Sequence, residues 1–253
     1  PGYDLLAQAL TGFMSITGPP EGEGYKVGVA VVDVLAGLNA ALGILAALYA
    51  NRSEPRARLV ETSLLETGLS ALVNVASGYL VTGRAPKRQG NAHASIVPYQ
   101  QFGASDAPLV VAAANDRQFR ALAAALGRPD WADDERFATN PERVRHRAAL
   151  LQELQGVLAS APRAHWLERL GAAGVPAAPV NTVPEALAHP QVAALGLLRD
   201  ARHPALPGLR LVGNGVRLDD APTPVYRHPP RLGEHDAELR AWLGADEARG
   251  EPS

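Results

Sequence analysis

Cysteine is absent from all 253 residues. That removes disulfides, thiolate metal sites and a cysteine nucleophile, and it fits a reducing cytoplasm. Charge of one sign is also missing: 24 Lys and Arg stand against 26 Asp and Glu, a formal net charge of −2. No basic field is available to attract nucleic acid or an anionic membrane surface, so neither is an expected partner. Lysine is confined to Lys26 and Lys87. There is no G-x-G-x-x-G or P-loop run, so neither phosphate cradle is expected. No metal site is expected either. The chain shows no signal peptide, and its opening Pro1-Gly2-Tyr3-Asp4 reads as the interior of a protein.

What is present is ordinary for a globular protein of one large or two modest domains, with 47% hydrophobic and 20% charged residues. One segment stands out. Val27–Ala50 reads VGVAVVDVLAGLNAALGILAALYA, and Asp33 is its only charged side chain. An isolated carboxylate in apolar surroundings is costly unless it is bonded, paired or kept for chemistry. Two readings are open. Asp33 caps the start of a helix, for which Asp is well suited, or it is a sheltered nucleophile. The run is long enough to raise a membrane question. Asp33, Asn39 and three glycines interrupt it, so a buried helix of a larger α/β protein is expected.

Apolar spacing predicts a helix over Tyr3–Ile16, a Gly/Pro loop at Thr17–Gly24, a short buried segment at Val27–Val32 and a helix from Asp33 to about Asn51. Leu59–Tyr79 is apolar nearly all round, as in a buried or interfacial helix. Val81–Ser95 is polar, basic and glycine-containing, a linker or binding loop. Two strand-like runs follow, Val97–Phe102 and Pro108–Ala114, joined by a turn at Gly103–Asp106. Helices are expected at Arg117–Leu126, Arg143–Leu158 and Ala164–Ala173. A strand then leads into a helix that Pro184 starts. Short strands within Arg199–Ala221 and a last helix from His235 close the pattern. The expected organisation is residues 1–88 as part of a large domain, residues 89–187 as an inserted small α+β domain, and residues 188–253 as the return to the large domain.

PGYDLLAQALTGFMSITG, VGVAVVDVLAGLNAALGILAALY, RLVETSLLE, GNAHASIVPYQQF, NDRQF, GVPAAPVN, HPQV and PPRLGEH occur in this order. Together they resemble the family III CoA-transferases, the group that includes formyl-CoA transferase and the α-methylacyl-CoA racemases. The resemblance implies an α/β fold with a discontinuous large domain, an inserted small domain and an interlocked homodimer. It also implies an N-terminal Rossmann-like half, carrying much of the CoA-binding surface, that this sequence does not contain. No bound cofactor is implied. Coenzyme A thioester enters as substrate together with a small carboxylic acid.

By this resemblance Asp33 takes the place of the family's catalytic aspartate, which attacks an acyl-CoA thioester to form a covalent aspartyl intermediate. Gly37, one turn later, would permit close approach. In the racemase branch a histidine works opposite this aspartate. Its place falls on Tyr3, 30 residues earlier, and tyrosine is a poor proton shuttle near neutral pH. A transferase is therefore favoured. Tyr3 either packs with its hydroxyl satisfied or lines the CoA site. Gly90 is the one glycine where formyl-CoA transferase has a glycine-rich lid, and Asn91 and His93 replace the repeat. GNAHxSIVPYQ looks more like the branch acting on succinyl-CoA and dicarboxylates, with His93 either touching a substrate carboxylate or standing in solvent. Lys87 and Arg88, with Arg84, either meet CoA phosphates or form a solvated linker. Gln118 either lines the site or sits on a helix surface. Asp116 is read as a helix cap, and Glu61 as structural. Two other functions stay open: an acyl-CoA racemase or epimerase, and a non-catalytic truncated remnant.

Overall fold

The computed structural model describes residues 2–223 and 227–247. Pro1 and the end of the 188–253 piece, from residue 248 onwards, lie outside them. Two compact units divide the chain, residues 1–180 and residues 181–253.

The first unit begins with five helices: α1 (Asp4–Leu10), α2 (Phe13–Ile16), α3 (Val31–Ala50), α4 (Leu64–Ser70) and α5 (Val73–Thr82). The single helix expected over Tyr3–Ile16 is split because Gly12 takes a left-handed backbone, φ 89°, which glycine adopts at no steric cost. The helix expected over Leu59–Tyr79 is likewise two, α4 and α5, bent by 72° where they meet. Close approach is built into the bundle by glycine. A Cβ at Gly68 of α4 would lie 2.6 Å from Thr11 Cγ2, and one at Gly43 of α3 would lie 2.8 Å from Val60 Cγ1.

Helix α3 corrects two expectations. It starts at Val31, so Asp33 is its third residue and not its cap; the cap position is Ala30, whose side chain bonds nothing. It is also not buried in this chain. Val32 is fully buried, but Val34, Leu38, Leu42, Leu45 and Leu48 are each more than half exposed. Leu10, Leu59, Leu80 and Val81 outside this helix are exposed as well. By length and composition alone α3 could cross a membrane. An apolar helix announces that something covers it, but its sequence does not say what does.

The remainder of the first unit holds the core. Strands β1 (Tyr99–Gly103), β2 (Pro108–Ala112) and β3 (Ala177–Pro179) form an antiparallel sheet in the order β1-β2-β3, with Phe102 opposite Leu109. Helices α6 (Asp116–Ala125), α7 (Asn140–Arg145), α8 (Arg147–Leu158) and α9 (Arg163–Ala172), with a 3-10 turn at Pro129–Ala132, pack with it. Helical spacing selects the buried side chains: Leu150, Leu154 and Leu158 on α8, and Trp166 and Leu170 on α9. Each such leucine contributes about 1.5–3 kcal/mol on burial. Polar ends are satisfied. Trp131 Nε1 donates to Glu153 at 2.8 Å and Trp166 Nε1 to Leu158 O at 2.8 Å.

The second unit contains α10 (Val183–Leu187), α11 (Pro190–Ala194), β4 (Leu198–Asp200), β5 (Arg210–Val212), β6 (Arg217–Leu218), β7 (Ala221–Pro222) and α12 (Asp236–Glu247). Thr182 and Glu185 form a capping box on α10, with Pro184 in its first turn. The sheets β4-β5 and β6-β7 are each two-stranded and antiparallel. Among the described residues no strand pair is parallel. The described residues form a mixture of helices and three small sheets.

Candidate functional site

The start of α3 is held from a distance. Asp4, first residue of α1, accepts from the Val32 N–H at 2.8 Å through Oδ1. Its Oδ2 accepts from Gln8 Nε2 at 2.6 Å. Gln8 is fully buried, and its Oε1 accepts from the Val27 N–H at 2.9 Å. The N-termini of α1 and α3 are thereby joined, and Tyr3 and Asp33 each neighbour a residue of the Asp4–Val32 bond.

Asp33 itself is exposed. The expectation that its apolar run shelters it is wrong for this chain, since the run is a helix whose covering surface is not supplied by the residues around it. A Cβ at Gly37 would meet no described atom within 4 Å, so the face one turn along from Asp33 is open to approach. Tyr3 is 74% exposed and lines a cleft of about 190 Å³ with Leu6, Leu10, Leu64 and Leu65.

The 17–27 loop links this end of α3 to the segment 88–90. The Tyr25 N–H donates to Thr17 O at 2.8 Å and the Gly90 N–H to Gly18 O at 3.0 Å. Arg88 donates through Nε to Pro19 O at 2.9 Å and through Nη2 to Gly22 O at 2.5 Å. Its guanidinium therefore holds the loop's carbonyls, which a basic residue of the right type in sequence does not disclose. Lys87 is exposed. Gly90 has φ 59°, a left-handed turn position.

Beyond Gly90 the loop is tied to the core of its own unit. Asn91 Nδ2 donates to Gln101 Oε1 at 3.2 Å. His93 is exposed, its Nδ1 accepts from the Ser95 N–H at 3.1 Å, and its ring lies 5.4 Å from that of Tyr99. Arg147 donates to His93 O and Ala94 O, both at 2.9 Å. Asn140 receives the Val97 N–H at 3.1 Å and donates to Ser95 O at 2.9 Å.

Gln118 is not brought to Asp33 by any described bond. Its Oε1 accepts from the Ala114 N–H at 2.9 Å while Asn115 Oδ1 accepts from the Gln118 N–H at 2.9 Å. Asn115 thus caps α6, and Gln118 reaches back to the residue before the cap. Asp116 sits in the first turn of α6, where Asn115 is the cap, and pairs with buried Arg143 at 2.8 Å. Glu61 is exposed ahead of α4.

The model of CoA-transferase family III matches residues 1–236. The succinate–glutarate CoA-transferase of Agrobacterium fabrum is 37% identical over 254 residues, covering 99% of this chain and 63% of that protein. Human succinyl-CoA:glutarate CoA-transferase is 34% identical over 238 residues, covering 94% of this chain and 54% of that protein. The crystal structure of a CAIB/BAIF family protein from Brucella suis superimposes with a TM-score of 0.85 at 38% identity, over 96% of this chain and 63% of that one. The chain thus spans less than two thirds of the length of these relatives.

Proposed function

Since this chain belongs to CoA-transferase family III, we propose that the protein moves coenzyme A between an acyl-CoA and a small carboxylic acid, with Asp33 as nucleophile. One observation carries this reading: Asp33 is the only acidic side chain between Lys26 and Arg52, at the open first turn of α3.

In the proposed cycle the Asp33 carboxylate attacks the thioester carbonyl and expels CoA thiolate, leaving a mixed anhydride. The thiolate attacks the aspartyl carbonyl, releasing the first acid and leaving an aspartyl-CoA thioester. The acceptor carboxylate attacks that thioester, breaking its C–S bond and expelling CoA thiolate again, to form a second anhydride. The thiolate then attacks the acceptor's carbonyl, giving the new acyl-CoA and free Asp33. No group is consumed, and every bond broken is matched by one formed. A carboxylate is a weak nucleophile in water, so positioning and exclusion of water must supply the rate.

In this reading the cover over Asp33 and the α3 face comes from a second copy of the chain and from the part of the family's length that these residues do not span. Lys87 is the exposed cation proposed to meet a CoA phosphate. Tyr3, Gly90, Asn91 and His93 are proposed to border the acyl group. Gln118 already spends its carbonyl oxygen at the start of a helix and Arg88 its Nε and Nη2 on loop carbonyls, and they take a supporting part. Dicarboxylates are the proposed acids, in keeping with the names of the similar transferases. The organisation into residues 1–88, 89–187 and 188–253 belongs to the same proposal.

The test is acyl transfer from succinyl-CoA to a panel of mono- and dicarboxylic acids. Asp33→Ala is expected to abolish transfer and keep its circular dichroism. Wild-type rates in that variant would overturn the assignment.

A further inference from the structure

We propose that Asp4 and Gln8 form a polar latch that fixes where α3 begins and thereby positions Asp33. The proposal rests on the reading of Asp33 as nucleophile.

Helix α3 brings no side-chain cap of its own, because Ala30 holds the cap position. An uncapped first turn frays, since its N–H groups lack partners. Here the acceptor comes from α1: Asp4 Oδ1 takes the Val32 N–H, 28 residues away in sequence. The same side chain is braced through its other oxygen by Gln8, and Gln8 in turn takes the Val27 N–H. Two hydrogen bonds from one turn of α1 therefore grip the two ends of residues 27–32, and a third braces the two gripping side chains against each other. Asp33 is the next residue. If the first turn of α3 unwinds or shifts register, the Asp33 carboxylate moves with it. Gln8 has no exposed surface, so water cannot take its place without opening the packing; Asp4 is half-buried beside it.

The polarity of the latch is fixed by its ends. Val27 and Val32 offer only N–H donors, so the atoms facing them must both accept. A donor must then lie between the two side chains. A carboxylate at position 4 with an amide at position 8 meets that rule. Asp4→Asn does not: with Asn Oδ1 on Val32 and Gln8 Oε1 on Val27, two NH₂ groups face each other, and one bond of the chain is lost. Gln8→Glu sets two carboxylates against each other. The double variant Asp4→Asn/Gln8→Glu restores the rule with the charge moved one turn along. The Asn NH₂ donates to the Glu carboxylate, whose second oxygen takes Val27.

These are positioning residues, and the experiment separates them from merely structural ones. In the intact protein, single-turnover acylation of Asp33 by succinyl-CoA is followed by hydroxylamine trapping. Amide exchange is measured at Val27 and Val32 in parallel. Each single variant is expected to acylate ten- to about 100-fold more slowly, the scale of a misplaced reacting group. The KM for acyl-CoA should stay within about threefold, and Val27 or Val32 should exchange faster. The double variant is expected to regain a rate within about threefold of wild type, with both amides protected. Wild-type acylation in Asp4→Asn, or a double variant no faster than the singles, overturns the latch. Should a single variant fail to fold, the double variant decides the matter: the latch requires it to fold and to acylate, and failure of either rejects it. Asp33→Ala keeps the two ideas apart. If it still transfers CoA, the nucleophile assignment falls, while protection of Val27 and Val32 continues to report on the latch alone.

Discussion

Arg143 offers the sharpest test of how the core carries the loop beside the candidate site. Its side chain is fully buried. Nε donates to Val97 O at 2.7 Å, Nη1 to Phe137 O at 2.9 Å and Nη2 to Asp116 Oδ1 at 2.8 Å. The guanidinium carbon lies 4.3 Å from the centre of the Phe119 ring. Burial pushes this arginine below its usual range and the Asp116 carboxylate pulls it back; a guanidinium stays charged throughout. Arg143→Ala strands two carbonyls in the core, at about 1–3 kcal/mol each. Asp116 suffers less, because its side chain is 41% exposed and still receives the Asn140 N–H at 2.9 Å. The two stranded carbonyls therefore set the cost, about 3–5 kcal/mol near the middle of their summed range. Urea unfolding followed through Trp131 and Trp166, both in this core, is expected to show the loss. The melting temperature should fall by about 6–20 °C, at about 2–4 °C per kcal/mol for a protein of this size. Arg143→Lys should fall between, since one ammonium cannot span three acceptors in a fixed fork. Because Asn140 and Arg147 tether residues 93–97, amide exchange should also quicken across Asn91–Ser95. A loss below about 1 kcal/mol, or an unchanged loop, would refute the idea that Arg143 is the keystone.

Two further outcomes are expected. Gly68→Ala places a methyl 2.6–2.9 Å from three atoms of buried Thr11 and should cost about 1–3 kcal/mol through overpacking; an unchanged melting curve contradicts the close approach of α1 and α4. Glu234 is held at about 2, below its usual 4.5, first by the Arg231 backbone N–H and then by His228. The folded carboxyl therefore binds fewer protons than the unfolded one, so its stabilising effect is complete above about pH 4.5 and disappears as pH falls towards 2. A ¹³C titration of the Glu234 carboxyl should give that low midpoint, and His228→Ala should raise it; a midpoint near 4.5 contradicts the pairing.

Local patterns were readable where local chemistry decides. The strand-like runs on either side of Gly103–Asp106 became β1 and β2, and Pro184 stands in the first turn of α10 as its residue type requires. The start of α3 was not readable, because its cap is Asp4, brought in by packing across 28 residues. A run that contains an aspartate near a helix start invites the assumption that this aspartate is the cap. The exposure of α3 was equally hidden. Apolar residues all round a helix call for cover, and here the cover is not given by neighbouring elements. Arg88 and Gln118 carried the right functional groups for binding, but Arg88 Nε and Nη2 are committed to the Pro19 and Gly22 carbonyls and Gln118 Oε1 to the Ala114 N–H. Only tertiary geometry reveals that commitment. With Asp33 in the open, its reading as nucleophile rests on its place in the family pattern as the one acidic residue at the first turn of α3, and no longer on a dry surround made by its own run.

Trypsin cleavage after Lys26 and Arg52 releases the peptide Val27–Arg52, in which Asp33 is the single side-chain carboxylate. The protein is incubated with succinyl-CoA, quenched with hydroxylamine, and that peptide is weighed and fragmented. A hydroxamate on Asp33, absent without acyl-CoA, is the predicted result. Turnover that proceeds while this peptide keeps its unmodified mass would contradict an aspartyl intermediate at α3.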